Sequence, residues 1–177
     1  MHPLLQKLTG GDRRSIGSAN EVAALVLVDP AHLAVLFEGM ASIDPILRMR
    51  CADVAEKVTA SHPDWLLPFK NSLLRTLSRI PQQEVRWHIA PMLVRLPLSE
   101  SEALEALNIL RGYMDDRSAI VRTLTMQAMA DLAVCHRTIR SEVISLIETH
   151  VQSGTPAMRT RGKKVPVSSP SYRSRRA

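Results

Sequence analysis

The sequence predicts an all-α chain of stacked helical hairpins, on three observations. Phe, Trp and Tyr make up 3% of the 177 residues and Gly numbers 7, too few for the aromatic strands and glycine turns of a sandwich or barrel. Apolar residues reach 45%, with the Ala, Leu, Arg and Met content that favours helices. A short aliphatic-Arg signature also recurs: Asp44-Pro45-Ile46-Leu47-Arg48, Gln82-Gln83-Glu84-Val85-Arg86, Ser118-Ala119-Ile120-Val121-Arg122 and Thr155-Pro156-Ala157-Met158-Arg159. Its arginines stand 38, 36 and 37 residues apart, the mark of an internal repeat. A fainter copy begins at Arg13-Arg14-Ser15-Ile16, with Val22 and Leu25 as its apolar face.

Each signature reads as a helix start. Asp44, Ser118 and Thr155 are residue types whose side chains accept from the unpaired N–H groups of a first turn. Gln82 departs from that pattern. Pro45 and Pro156 stand at the first helical position, where no hydrogen bond is lost. Downstream, Leu47, Cys51, Val54, Ala55 and Val58 recur at helical spacing. Val85, Ile89, Met92, Leu93 and Leu96 repeat that register, and so do Val121, Thr125, Ala128, Met129 and Leu132. Pro91 falls inside the middle one of these helices, where it removes a backbone hydrogen bond and is expected to bend it.

A first helix precedes each second one. Pro30–Met40 carries Leu33, Leu36 and Phe37 on one side. Asp64–Ile80 carries Leu66, Leu67, Leu73, Leu74 and Leu77, with Trp65 expected as a core anchor near its start. Glu102–Met114 carries Leu104, Leu107, Leu110 and Met114, opened by Ser99 or Ser101 with acids in the first turn. Thr138–Gln152 carries Val143, Leu146, Ile147 and Val151, and stops before Gly154.

This pattern resembles HEAT repeats, through the D-P-x-aliphatic-R opening at Asp44–Arg48 and its looser copies. The resemblance implies an α-solenoid (HEAT/armadillo-like) of about four stacked antiparallel hairpins over residues 1–165. The period near 37 is shorter than is usual for the class. By the same resemblance the second helices line a concave side, and the repeated arginines are expected to bridge one repeat to the next. Aligning the registers gives columns of outward positions: Arg50, His88, Leu124 and Arg161; Asp53, Pro91, Gln127 and Lys164; Met49, Trp87, Thr123 and Thr160; Lys57, Arg95 and Asp131. From these, Arg50, Asp53, Lys57, Trp87, His88, Arg95, Gln127 and Asp131 are the candidate binding residues. Trp87 is open to two readings, a binding anchor or a ring packed between adjacent helices.

The formal charge of +6 is unevenly placed. Residues 1–158 carry 16 Lys and Arg against 17 Asp and Glu, a net −1, whereas residues 159–177 carry seven bases and no acid. The Pro-, Ser- and Arg-rich end predicts a disordered basic tail over 166–177. A body of mixed sign suits a protein or peptide better than a phosphate backbone, which selects a stripe of cations. Cys51 and Cys135 stand apart without metal-ligand spacing, as expected of a reducing, cytoplasmic setting. The longest apolar run, Val22–Val28, is far short of the roughly 20 residues a spanning helix needs, and no secretory leader is recognisable at the N-terminus.

No nucleophile elbow, phosphate loop or paired-histidine motif is visible. The His-Glu pairs of the iron-binding HEAT hydroxylases are missing as well. The expectation is therefore a non-catalytic adaptor or scaffold without cofactor or metal, binding protein or peptide on the concave face. The alternative is a nucleic-acid-binding protein similar to the HEAT-like alkylpurine DNA glycosylases, with Trp87, Arg95 and Asp131 in the roles of their aromatic and acidic groups. The basic tail offers a further, nonspecific route to nucleic acid.

Overall fold

Three of the second helices start next to the residues that mark them in the sequence, Asp44, Gln82 and Ser118. In the computed structural model, which describes residues 1–12, 15–154, 156 and 158–160, Asp44 Oδ1 accepts from the Ile46 N–H at 2.9 Å and Pro45 opens helix α4 (Pro45–Ser61). Ser118 Oγ accepts from the Val121 N–H at 3.4 Å at the start of α8 (Ala119–Cys135). Gln82 precedes α6 (Gln83–Arg95) but makes no cap; its side chain turns to the preceding repeat instead.

The signature arginines hold the turns before their helices. Arg48 Nη1 donates to the carbonyls of Ser42 at 2.8 Å and Ile43 at 3.2 Å. Arg86 Nε donates to Ile80 O at 3.2 Å, and Arg122 Nη1 to Asp116 O at 2.5 Å. In all three the acceptor lies six residues upstream, so the arginine closes the loop that joins first to second helix. This corrects the expected bridging role in part. Arg48 does reach the next repeat, through Gln82, but the shared contact is local.

The remaining helices are α1 (Pro3–Gln6), α2 (Ala19–Val28), α3 (His32–Gly39), α5 (Lys70–Arg75), α7 (Glu100–Met114) and α9 (Arg140–Ser153). No strand occurs among the described residues. Ser99 opens α7 with a reciprocal pair: its Oγ accepts from Glu102 N–H at 3.3 Å while Glu102 Oε2 accepts from Ser99 N–H at 2.8 Å. The helix expected over 64–80 is broken into a 3-10 segment (Pro63–Phe69), α5, and a second 3-10 turn (Leu77–Arg79). Pro68 has no N–H to donate into an α-helical ladder, and it lies within the first 3-10 segment. The change of period turns Leu67 outward, to 55% exposure. Trp65 is half-buried and stacks on His62 with ring centroids 4.1 Å apart, a surface pair and not the core anchor expected.

Two compact units form, Met1–Pro97 and Leu98–Ala177. In the first, α4 is central and packs against α2, α3 and α6. In the second, α8 packs against α7 and α9. All fifteen positions of the three aligned second-helix registers are buried, Leu47 through Leu132. Each fully enclosed Ile or Leu among them, such as Ile89 and Leu93, contributes roughly 2 kcal/mol. Gly39 sets the closeness of α3 to α4, because a Cβ there would lie 2.5 Å from Cys51 Sγ. Leu104, expected on the inner face of α7, is 47% exposed.

Arg13, Arg14, Thr155, Ala157 and 161–177 lie outside the described residues. That range includes Arg161, Lys164, the expected domain end at 165 and the tail over 166–177.

Candidate functional site

Four of the eight candidate residues, Asp53, Lys57, Trp87 and His88, meet on one surface of the first unit, and its chemistry follows from helix spacing. Asp53 and Lys57 stand four apart on α4, one turn along the same face. Lys57 Nζ lies 3.2 Å from Asp53 Oδ2 and also donates to Asn20 Oδ1 of α2 at 3.0 Å. From α6, His88 Nε2 approaches Asp53 Oδ1 to 4.0 Å, with the Trp87 ring edge-on to the imidazole at 5.9 Å between centroids. The surface thus spans three helices and mixes amide, acid, base and aromatic groups.

Exposure differs along it. The Lys57 side chain is 41% exposed, Asp53 18% and His88 16%. Burial lowers the proton affinity of His88, and the Lys57 charge works in the same direction; the Asp53 and Glu56 carboxylates oppose it without reversing it. The imidazole is accordingly neutral at pH 7, and its approach to Asp53 is not an ion pair there.

Pro91 leaves the Trp87 carbonyl without its intrahelical donor, because that donor would be the N–H of residue 91. Both residues lie on the half-buried side of α6.

Arg95 and Arg50 are engaged elsewhere. Arg95 binds Glu56 through both its main-chain carbonyl, at 2.8 Å, and its carboxylate, tying α6 to α4. Arg50 was expected to point outward, yet it is 2% exposed. Among the described residues its guanidinium donates to the carbonyls of Leu8, Thr9, Gly10, Asp12 and Ser15. The acceptors are backbone atoms some 40 residues upstream, which side-chain periodicity does not reveal.

Gln127 and Asp131 belong to the second unit, where Gln127 Nε2 donates to Asp131 Oδ1 at 2.8 Å along α8. The trio Trp87, Arg95 and Asp131 is therefore divided between two units, and Arg95 is held by Glu56.

Sequence reasoning missed Asn20 and Glu56. Asn20 stands 37 residues before Lys57, one repeat period, so the fainter first repeat carried a signal for it. Glu56 carried none, since its role depends on Arg95 turning back toward α4.

The second unit holds a cleft of about 270 Å³ lined by Arg111, Met114, Asp115, Met129, Leu146 and His150. Arg111 is committed to Glu142 at 2.6 Å. At the start of α7, Glu100 accepts from Thr138 Oγ1 and pairs with His136 Nδ1 at 3.0 Å, and these hydrogen bonds lower its proton affinity. Among the described residues no cluster of three or more His, Cys, Asp or Glu side chains has the arrangement to hold a metal ion. No helix among them is long and apolar enough to cross a membrane. In comparisons with known proteins, no family model, no curated protein and no solved structure matches this chain.

Proposed function

We propose that this protein is a non-catalytic interaction module, a short HEAT-like solenoid that binds a protein or peptide on the face formed by its second helices. The observation that carries the reading is the Asn20–Lys57–Asp53–His88 surface with Trp87 beside it, built by three helices side by side, with α4 packed against both α2 and α6. The polar contacts between those helices join residues about one period apart: Asn20 with Lys57, Pro45 with Gln82, Glu56 with Arg95. Such spacing is what repeated hairpins give when they stack in register. The mixed polarity suits the polar and aromatic chemistry of a protein ligand. Two free thiols, one buried and one exposed, fit a cytoplasmic setting.

The test is affinity capture with the full-length chain and with Lys57→Glu/Trp87→Ala, after far-UV circular dichroism has shown both folded. The reading expects the variant to lose proteins that the wild type retains. An unchanged set of captured proteins contradicts it. The nucleic-acid reading rests on the bases of residues 159–177, which carry +7. Duplex binding that is lost when those seven bases become Ala would place such binding in the tail.

A further inference from the structure

The cleft of about 270 Å³ in the second unit is lined from α7, α8 and α9. Met114 and Met129, both buried, and the half-buried Leu146 give it an apolar floor. At its lip Arg111 is neutralised by Glu142 at 2.6 Å. Asp115 is exposed, and none of the ion pairs among the described residues includes it. Its carboxylate stands at the C-terminal end of α7, where the helix dipole also favours a cation. The N–H groups of Asp115 and Asp116 both turn to Tyr113 O. Neither therefore closes the carbonyls of Arg111 and Gly112, to which a continued helix would bond them.

Gly112 supplies an independent observation. It lies inside α7, where alanine forms a better helix. No backbone constraint demands a glycine, because positive φ among the described glycines is confined to Gly10, Gly11 and Gly17. No packing demands one either, since a Cβ at Gly112 would meet nothing within 4 Å. What the missing side chain leaves is open space on the wall of the cleft.

We propose that this cleft is a binding site for a small arylalkylamine. The ring lies on the Met114–Met129–Leu146 floor, the ammonium donates to Asp115 and to the open carbonyls at the end of α7, and Gly112 keeps the wall clear. Thioether sulfurs favour an aromatic ring. A hydrogen bond from an ammonium to a carboxylate is about twice as strong as one between neutral groups. The volume suits a single ring, since pockets for drug-sized ligands begin at about 300 Å³. The site stands independently of the peptide-binding face, which belongs to the first unit.

The experiment titrates the full-length chain, carrying methyl-labelled methionine, with phenethylamine. It follows the Met114 and Met129 methyl resonances, assigned through Met114→Leu and Met129→Leu. A saturable shift with a dissociation constant of about 1 mM or below is expected. Phenethyl alcohol, which has the shape without the charge, is expected to bind about tenfold more weakly, as is the amine to Asp115→Asn. Phenylacetate should bind more weakly still. Gly112→Ala is expected to raise the thermal midpoint, and Gly112→Leu, shown folded by far-UV circular dichroism, to abolish the shift. The absence of a saturable shift in the wild type overturns the proposal. So does undiminished binding of the alcohol or of phenylacetate, undiminished amine binding in Asp115→Asn or Gly112→Leu, or a lowered midpoint in Gly112→Ala.

Discussion

Arg48 Nε donates to Gln82 Oε1 at 2.9 Å, and Gln82 Nε2 donates in turn to the Pro45 carbonyl at 2.8 Å. Gln82 occupies the cap position of its own helix but serves the start of the preceding one. An aspartate there would cap α6 yet have no N–H for Pro45. Gln82→Ala is expected to cost about 1–2 kcal/mol in denaturant unfolding. Gln82→Asp is expected to be no more stable than wild type, despite restoring a favoured cap type. A clear gain in the unfolding midpoint would show that the link between repeats contributes little.

The signature arginines make a graded prediction. Arg122 holds the carbonyls of Asp116 and Arg117, so Arg122→Met is expected to destabilise by about 1–3 kcal/mol. Arg159, in the fourth copy, is exposed, and Arg159→Met is expected to stay within about 0.5 kcal/mol of wild type. Thermal or urea unfolding of the two variants side by side checks the contrast.

Much of this architecture was legible because periodicity and capping are local. The three registers beginning at Leu47, Val85 and Val121 are buried as their spacing predicts, and Asp44 and Ser118 cap as their chemistry predicts. The break at Pro68 was also written in the sequence, but a run of leucines obscured it. What could not be read depends on backbone atoms or on long side chains that choose among distant partners. Arg50 is such a case, with its carbonyl acceptors, and so is Arg95, which turns to Glu56. Of the candidate surface, helix position placed Asp53, Lys57, Trp87 and His88 together; it gave no sign that Gln127 and Asp131 belong to a separate compact unit.

His88 predicts a pH dependence of stability. Its folded proton affinity is lowered, chiefly by burial, so the unfolded chain binds the proton more readily. The stability this confers is present above the unfolded value of about 6.5 and is lost as pH falls through it toward the folded one. Stability measured from pH 8 down to 5 should therefore fall, and His88→Gln should flatten that part of the curve. Identical slopes in both proteins would mean that other groups govern the acid limb.

The two thiols should differ sharply in reactivity. Burial pushes the Cys51 thiol up to about 12, whereas Cys135 is exposed at the end of α8. An aromatic disulfide reagent at pH 8 is expected to modify Cys135 quickly and Cys51 only on unfolding. Two equally fast thiols would place Cys51 outside the core.

The binding face itself is tested most directly by site-specific photocrosslinking in cells. A benzophenone side chain placed at Lys57, on the proposed face, is compared with one at Arg79, an exposed position in the 3-10 turn of a first-helix segment. The account predicts a discrete crosslinked protein from position 57 and none from position 79. Crosslinks from position 79 alone, or equally from both, would contradict it.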